Sequence, residues 1–256
     1  MMRPASWVDR HEMTSTEKWA RQIYTYYGML VFGLLFVLFF FPLLFPIVFK
    51  SQYKWVGILN RWWARCLFFF LGIPTKVAYR APLDPKKQYV FAPNHFSFID
   101  IPTMGLTKHN SIFVGKSEME TVPLFGWMYR NLHITVDRTK LKSMYNTLLA
   151  SIKALDEGKS LIIFPEGGIY TDAPPQMVKF RDGAFRAAIE RQVAIVPVTI
   201  PHNWIILPVN PMLLYWKPMK LIFHEPISTE GMTVKDVDRL KEQVYQIIDK
   251  ELKNEN

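Results

Sequence analysis

The segment from 92 to 100 places a histidine, His95, five positions before an aspartate, Asp100. A neutral imidazole can take a proton from an alcohol, and a carboxylate on its other nitrogen fixes the tautomer and stabilises the imidazolium that forms. Five steps within a regular helix would point the two side chains apart, so we expect His95 to lie at or before the first helical turn. The structural alternative makes His95 a turn residue and Asp100 a helix N-cap ahead of Pro102.

A second polar segment follows the apolar run from 160 to 164. It contains a carboxylate, Glu166, followed by Gly167 and Gly168. This combination at the carboxyl end of a strand is typical of ligand-binding edges in α/β proteins, because glycine lets backbone N–H groups approach an anion closely. A tight turn is the alternative, and it would explain the glycines but not the acid.

The elements that must position these residues are visible after Pro74, where short β-branched or aromatic runs alternate with helical patterns. This alternation predicts an α/β layer fold with a mostly parallel central sheet. Apolar residues at helical spacing predict two covering helices, over 141–155 and 234–248. The predicted strands are 88–92, 111–114, 133–136, 160–164, 194–200 and 220–223.

Four blocks of residues then occur in order. They are Asn94 to Asp100; Gly115-Lys116-Ser117-Glu118 through Val136-Asp137-Arg138; Phe164-Pro165-Glu166-Gly167; and Val193 to Val198. Together they resemble the lysophosphatidate (1-acylglycerol-3-phosphate) acyltransferase family of the glycerolipid acyltransferases, whose best-known motif is NHxxxxD. Four ordered blocks are far more specific than any one of them.

The resemblance implies transfer of an acyl group from acyl-CoA or acyl carrier protein to the sn-2 hydroxyl of 1-acylglycerol 3-phosphate. We expect His95 to be the general base and Asp100 to orient it, with direct attack on the thioester. The sequence has no GxSxG elbow, and its one cysteine, Cys66, lies in an apolar block, so a covalent acyl-enzyme is disfavoured. No metal or organic cofactor is implied.

For the acceptor, we expect Glu166 and the backbone around Gly167 to shape the glycerol site, and Lys116 and Arg138 to bind the phosphate. The third block of the family usually continues with threonine and arginine, where this chain has Gly168 and Ile169. Lys179 and Arg181 are further candidates for the missing positive charge. The alternatives are another lyso-lipid acceptor, such as an amino-acid lipid, and a non-catalytic lipid-binding protein. The intact pair of His95 and Asp100 argues against the second.

Residues 1–74 form the apolar end of the chain. No charged residue occurs from 22 to 49, where Pro42 and Pro46 are expected to break the helix near its end, so the segment either spans a bilayer or dips in and returns. A second block, 55–73, carries arginines beside tryptophans, as at a headgroup interface. We predict a two-helix membrane-anchoring motif in 1–74 and a catalytic domain in 75–256. A signal peptide is the alternative, but the apolar run begins late and lacks a small-residue cleavage site.

The charge and the cysteine content further narrow the class of protein. The formal net charge is +9, and residues 1–74 alone carry +5. Because this basicity coincides with the most apolar segments, it favours an anionic bilayer surface over nucleic acid. The basic residues near 50–65 predict that the catalytic domain faces the cytoplasm at the inner membrane. A single cysteine excludes an intramolecular disulfide.

Overall fold

The computed structural model describes residues 13–137 and 139–255. Its centre is a seven-stranded sheet with the strand order β1-β7-β6-β2-β5-β3-β4. The strands are β1 Thr75–Tyr79, β2 Val90–Pro93, β3 Ser111–Lys116, β4 Ile134–Val136, β5 Ser160–Ile163, β6 Ile195–Thr199 and β7 Met219–Phe223.

Five of the strands, from β6 across to β4, run parallel to one another. The pair β1 and β7 is parallel within itself but antiparallel to β6. The prediction of an α/β fold with a mostly parallel sheet is therefore confirmed. The five strands from β6 to β4 all end at the same side of the sheet, where ligands bind in open α/β folds.

All six predicted strands are present, but the sequence prediction missed β1. This strand is short, lies at the sheet edge, and has no buried residue. Its hydrogen-bonding partner is β7, more than 140 residues later in the chain, with Thr75 opposite Met219. An edge strand with one open side needs little apolar patterning, which is why its sequence carries a weak signal.

Eight helices cover the sheet within the described residues. They are α1 Ser15–Val48, α2 Lys54–Phe70, α3 Asp100–Met104, α4 Phe125–Leu132, α5 Leu141–Asp156, α6 Gly183–Glu190, α7 Asn203–Ile206 and α8 Val237–Glu255. Successive residues of β2 point to opposite faces: Phe91 packs with the layer of α1, α2 and α3, and Val90 packs with that of α5, α6 and α8. The result is a three-layer arrangement.

Helix α1 begins with a capping box, in which Thr14 and Glu17 satisfy each other's backbone N–H groups. The expectation that Pro42 and Pro46 break the helix is wrong, because α1 continues through both to Val48. Tertiary packing explains the difference: Leu43 and Pro46 are buried, and this end of α1 packs on α2 and α4. Contacts of this kind compensate for the lost backbone hydrogen bonds.

Helices α1 and α2 form an antiparallel hairpin, joined by a single 3-10 turn at Lys50–Gln52. By length and composition, α1 is the one helix in the described ranges that could cross a membrane. Arg61 of α2 donates a hydrogen bond to the carbonyl of Thr107 at 2.7 Å, so α2 is tied to the loop that follows α3. The boundary at residue 74 stays a prediction.

Candidate active site

The carboxyl ends of three adjacent strands bring the polar segments together. β2 is flanked by β6 and β5, so residues 94–100, 200–203 and 164–168 leave the sheet side by side. Asn94 joins two of these segments: its side-chain oxygen accepts from the N–H of Ile200 at 2.7 Å, and its amide donates back to the same residue at 3.1 Å. This buried asparagine fixes the start of the loop that carries His95.

His95 and Asp100 form a hydrogen-bonded pair, with 2.9 Å between Nδ1 and Oδ2. The helix begins at Asp100, so His95 precedes the first turn, as the spacing required. A carboxylate only accepts hydrogen bonds, so Nδ1 carries the proton and Nε2 keeps its lone pair. The imidazole also stacks on Phe164, with ring centroids 4.0 Å apart. The side chain of His95 is 13% exposed and that of Asp100 is fully buried.

Three further donors hold the Asp100 carboxylate. Oδ2 accepts from the backbone N–H groups of Phe96 and Ser97 at 2.9 and 3.0 Å. Oδ1 accepts from the side-chain amide of Asn203 at 2.6 Å. Together with His95, these donors fix the orientation of the buried Asp100 side chain. Helix α3 begins at Asp100 and its N-cap is Ile99, so Asp100 is not the N-cap.

Glu166 is 1% exposed and lies behind the histidine. Its two carboxylate oxygens accept from the backbone N–H groups of His95, at 2.7 Å, and Val178, at 3.3 Å. Burial raises the pKa of Glu166 to about 8, although these two hydrogen bonds lower it in part. The observed contacts of Glu166 therefore hold the His95 backbone, and the predicted contact with the acceptor glycerol stays a prediction.

Gly167 has φ of +81°, a conformation that favours glycine. A Cβ atom there would lie 2.5 Å from Nε of Arg181, so the arginine side chain rests directly on the glycine backbone. The Arg181 guanidinium also lies over the ring of Tyr170, 5.9 Å from its centroid. Within the described residues the guanidinium has no hydrogen-bonded or carboxylate partner. Arg181 therefore presents an unpaired positive charge beside the third block.

Lys116 and Arg138, the two residues predicted to bind phosphate, are described by the structure only in part or not at all. Lys116 is the last residue of β3, so its backbone lies at the same edge as His95; its side chain is outside the described part of the structure. Arg138 follows the end of β4 at Val136 and lies outside the described residues. Their roles stay predictions.

Ser97 is the nearest hydroxyl to His95 in the sequence, and its Oγ is fully engaged. It donates to the carbonyl of Leu207 at 2.6 Å and accepts from the N–H of Ile99 at 3.2 Å. His133 has a structural role in the sheet: its Nδ1 accepts from the N–H of Phe113, and burial lowers the pKa of His133 to about 4.

Two apolar cavities flank the motif. One, of about 300 Å³, lies between the hairpin and the loop after α7, and Phe98 and Ile99 of the motif line it together with Gly28 and Leu214. The other, of about 580 Å³, lies between α5, α6 and the sheet, with Phe164 in its wall and Arg181 among its lining residues. Apolar walls with few polar groups suit hydrocarbon chains.

Comparison with known proteins agrees with this arrangement. The acyltransferase family model matches residues 75–201. A 1-acyl-sn-glycerol-3-phosphate acyltransferase of Haemophilus influenzae is 30% identical over 206 residues, covering 77% of this chain and 81% of that protein. A lyso-ornithine lipid O-acyltransferase of Pseudomonas aeruginosa is 31% identical over 147 residues, covering 57% and 54%.

Among solved structures, the 1-acyl-sn-glycerophosphate (LPA) acyltransferase PlsC of Thermotoga maritima has the same fold. The TM-score is 0.77 at 20% identity, over 93% of this chain and 96% of that one. The chain therefore belongs to the acyltransferase family with the NHxxxxD motif, in the branch of the 1-acylglycerol-3-phosphate acyltransferases, and the recognition made from its four blocks is confirmed.

Asn203 is the site residue that the sequence prediction missed. It lies after the fourth block, in a short helix that was not predicted. The available signal was one polar residue in the otherwise apolar run Asn203-Trp204-Ile205-Ile206, directly after a buried strand. A buried amide must be hydrogen-bonded, but the sequence alone does not reveal its partner.

Proposed function

We propose that this protein transfers an acyl group from a thioester donor to the sn-2 hydroxyl of 1-acylglycerol 3-phosphate, giving phosphatidate for phospholipid synthesis. The observation that carries the proposal is the His95–Asp100 pair, 2.9 Å apart on a fully hydrogen-bonded carboxylate at the carboxyl edge of the sheet. A base oriented in this way is needed for proton transfer and is not needed for lipid binding alone.

In the proposed reaction Nε2 of His95 takes the proton of the acceptor hydroxyl as its oxygen attacks the thioester carbonyl. The tetrahedral intermediate collapses with cleavage of the C–S bond, and the imidazolium returns the proton to the thiolate of the carrier. Asp100 stabilises the imidazolium. Because the hydroxyl of Ser97 is occupied by two backbone groups, direct transfer is favoured over an acyl-serine.

We assign the acceptor phosphate to Lys116 and Arg181, which belong to this edge, and keep Arg138 as a candidate from the sequence. Arg181 has the strongest structural support, because its guanidinium rests on Gly167 and has no partner within the described residues. A guanidinium binds a phosphate through charge-assisted, bidentate hydrogen bonds. In this proposal Arg181 replaces the arginine that Gly168 and Ile169 leave missing.

The two helices α1 and α2 anchor the enzyme in the bilayer. Large apolar side chains are exposed along α1; Leu38 and Phe41, for example, are 63% and 65% exposed. α1 also packs on α2 and α4 instead of projecting away from the domain, which favours insertion into one leaflet over an isolated span. The basic residues near the hairpin turn support the proposal that the domain lies on the cytoplasmic side. Cleavage of the domain only by protease added to the opposite side of sealed vesicles would contradict this orientation.

Two observations favour a second acceptor, lyso-ornithine lipid. The third block departs from the usual pattern at Gly168 and Ile169, and a relative that is 31% identical is a lyso-ornithine lipid O-acyltransferase. The reaction type would be the same, and only the headgroup contacts would differ.

The test is acyl transfer by the purified protein in detergent. Labelled acyl-CoA and acyl carrier protein are each offered with lysophosphatidate, lyso-ornithine lipid or lysophosphatidylcholine, using native protein and His95→Ala. We expect transfer to lysophosphatidate that the substitution abolishes. Preference for lyso-ornithine lipid would select the second acceptor, and transfer that survives His95→Ala would contradict the proposed base.

A further inference from the structure

A second basic site lies at the opposite edge of the sheet. A cleft of about 690 Å³ opens between the turn of the hairpin, the start of β4 and the end of α5. Four lysines line it, and we call it the lysine cleft: Lys50, Lys54, Lys153 and Lys159. It lies at the amino ends of the strands. A strand of about five residues, at about 3.3 Å per residue, separates it from the carboxyl ends by about 16 Å. It is therefore separate from the active site.

The charge in the lysine cleft is not neutralised by the protein. Glu157 is the carboxylate among its lining residues, and Lys159 pairs with it at 2.6 Å while lying over the ring of Tyr53. Lys50, Lys54 and Lys153 have no carboxylate partner in the described part of the chain. The pKa of Glu157 is lowered, first by Lys159 and more weakly by Lys153 and Lys50.

The cleft is held by specific contacts. Asn110 clamps the hairpin turn, since its side chain accepts from the N–H of Gly57 at 2.9 Å and donates to the carbonyl of Tyr53 at 3.3 Å. A Cβ atom at Gly57 would lie 2.6 Å from the Asn110 side chain, so glycine permits this approach. Tyr53 also donates to the carbonyl of Leu132 at 3.0 Å. These bonds fix the segment that carries Lys50 and Lys54 beside the end of α5, where Lys153 lies.

One rim of the cleft is apolar and belongs to the membrane helix. Pro46 and Ile47, near the end of α1, line it. The next residues, Val48 and Phe49, are exposed apolar side chains. The cleft therefore lies where the apolar face of α1 gives way to charge, which is the level of lipid headgroups. The carboxyl end of α5 offsets about half a positive charge, which is less than the three unpaired lysines supply.

We propose that the lysine cleft binds the phosphate headgroup of an anionic bilayer lipid, separately from the acceptor lipid in the active site. An anion in the cleft satisfies Lys50, Lys54 and Lys153 together, and the acyl chains of the same lipid cover the apolar rim on α1. The inference rests on the membrane placement proposed above, and it does not depend on the identity of the acyl acceptor.

The test measures lipid retention. The full chain is reconstituted in nanodiscs of phosphatidylcholine and phosphatidylglycerol, transferred to detergent, and analysed by native mass spectrometry for bound lipids. The variant Lys50→Gln/Lys54→Gln/Lys153→Gln removes three cleft charges. The matched control, Lys87→Gln/Lys235→Gln/Lys250→Gln, removes three exposed charges elsewhere. Acyl transfer by both variants reports correct folding.

We expect the cleft variant to retain phosphatidylglycerol about fivefold more weakly per lysine removed, while the control retains it as the native chain does. Phosphatidylcholine retention should not change. Equal retention by the cleft variant, or an equal loss in the control, would overturn the proposal. Displacement of the lipid by millimolar inorganic phosphate or coenzyme A would instead assign the cleft to a soluble phosphate ligand and overturn the lipid assignment.

Discussion

The carboxyl edge of the sheet and the outer face of the hairpin differ in whether their side chains have partners within the protein. At the edge, Asp100 and Glu166 are buried acidic residues, and the carboxyl oxygens of each accept two or more hydrogen bonds. On the hairpin, apolar side chains such as Leu38, Phe41 and Phe69 are largely exposed. Burying a carboxylate requires partners inside the protein, whereas exposing an apolar face requires a partner outside it.

This difference separates two contributions to function. In the proposed function, the edge holds a few groups in fixed geometry for proton transfer, and the hairpin contacts the lipid from which the acceptor is drawn. The small apolar cavity lies between them, because α1, α2 and the motif residues Phe98 and Ile99 all line it. A substitution at the edge should therefore reduce turnover, and one on the outer face of the hairpin should reduce membrane binding.

The largest expected effect is at the base itself. His95→Ala should lower kcat by about 10²- to 10⁴-fold, the usual contribution of a general base. The melting temperature of the variant should stay close to that of the native chain. The reason is that the carboxyl group of Asp100 keeps its hydrogen bonds from Phe96, Ser97 and Asn203. A labelled acyl group found covalently on the native protein during turnover would rule out the direct-transfer scheme.

The matching experiment on the hairpin replaces two exposed apolar residues, Leu38 and Phe41, with glutamate. Each charge placed in the bilayer costs about 2.5 kcal/mol on insertion scales, so vesicle binding should fall by at least about 100-fold. Turnover of a short-chain acceptor in detergent should not change. A parallel loss of this turnover would show that the two regions are not separable. The control is Phe41→Leu.

A smaller effect is expected at Arg181. Arg181→Gln should raise KM for lysophosphatidate about 10- to 100-fold, since a hydrogen bond to a charged group contributes about 1.5–3 kcal/mol. A phosphate-free lyso-lipid should be transferred as before. Arg186→Gln is the matched control, because Arg186 lines the same cavity on the following helix. Equal KM changes with both acceptors would exclude a phosphate contact.

Asn203 should act through Asp100. Asn203→Leu removes the donor to Oδ1 at similar volume, and we expect about a tenfold lower kcat with KM unchanged. In a double-mutant cycle with Asp100→Asn, the second substitution should add little, because both act on the same carboxylate. Fully additive losses would separate Asn203 from the histidine pair.

The last prediction concerns stability at the edge. Burial raises the pKa of Glu166 to about 8 from its ordinary value of 4.5, so the folded state binds this proton more tightly than the unfolded state does. The stabilisation is complete below about pH 4.5 and is lost as the pH rises through about 8. Melting temperatures measured between pH 5 and 9 should fall less steeply for Glu166→Gln. Identical slopes would show that Glu166 is ionised throughout.

The sequence by itself determined the fold class, six of the seven strands and the pairing of His95 with Asp100. These follow from local information: apolar periodicity fixes the covering helices, and a spacing of five residues before a helix start fixes how the pair can meet. The same spacing could not reveal that Oδ1 of Asp100 has its donor at Asn203, more than 100 residues later.

Tertiary structure decided the remainder, because packing over long sequence separation overrides local preference. It continued α1 through Pro42 and Pro46 by burying that end against α2 and α4. It added β1 as an edge strand through pairing with β7. It also brought Arg181 onto Gly167 and gathered four lysines at the hairpin turn, since side chains from separate elements meet only when the sheet and its layers have formed.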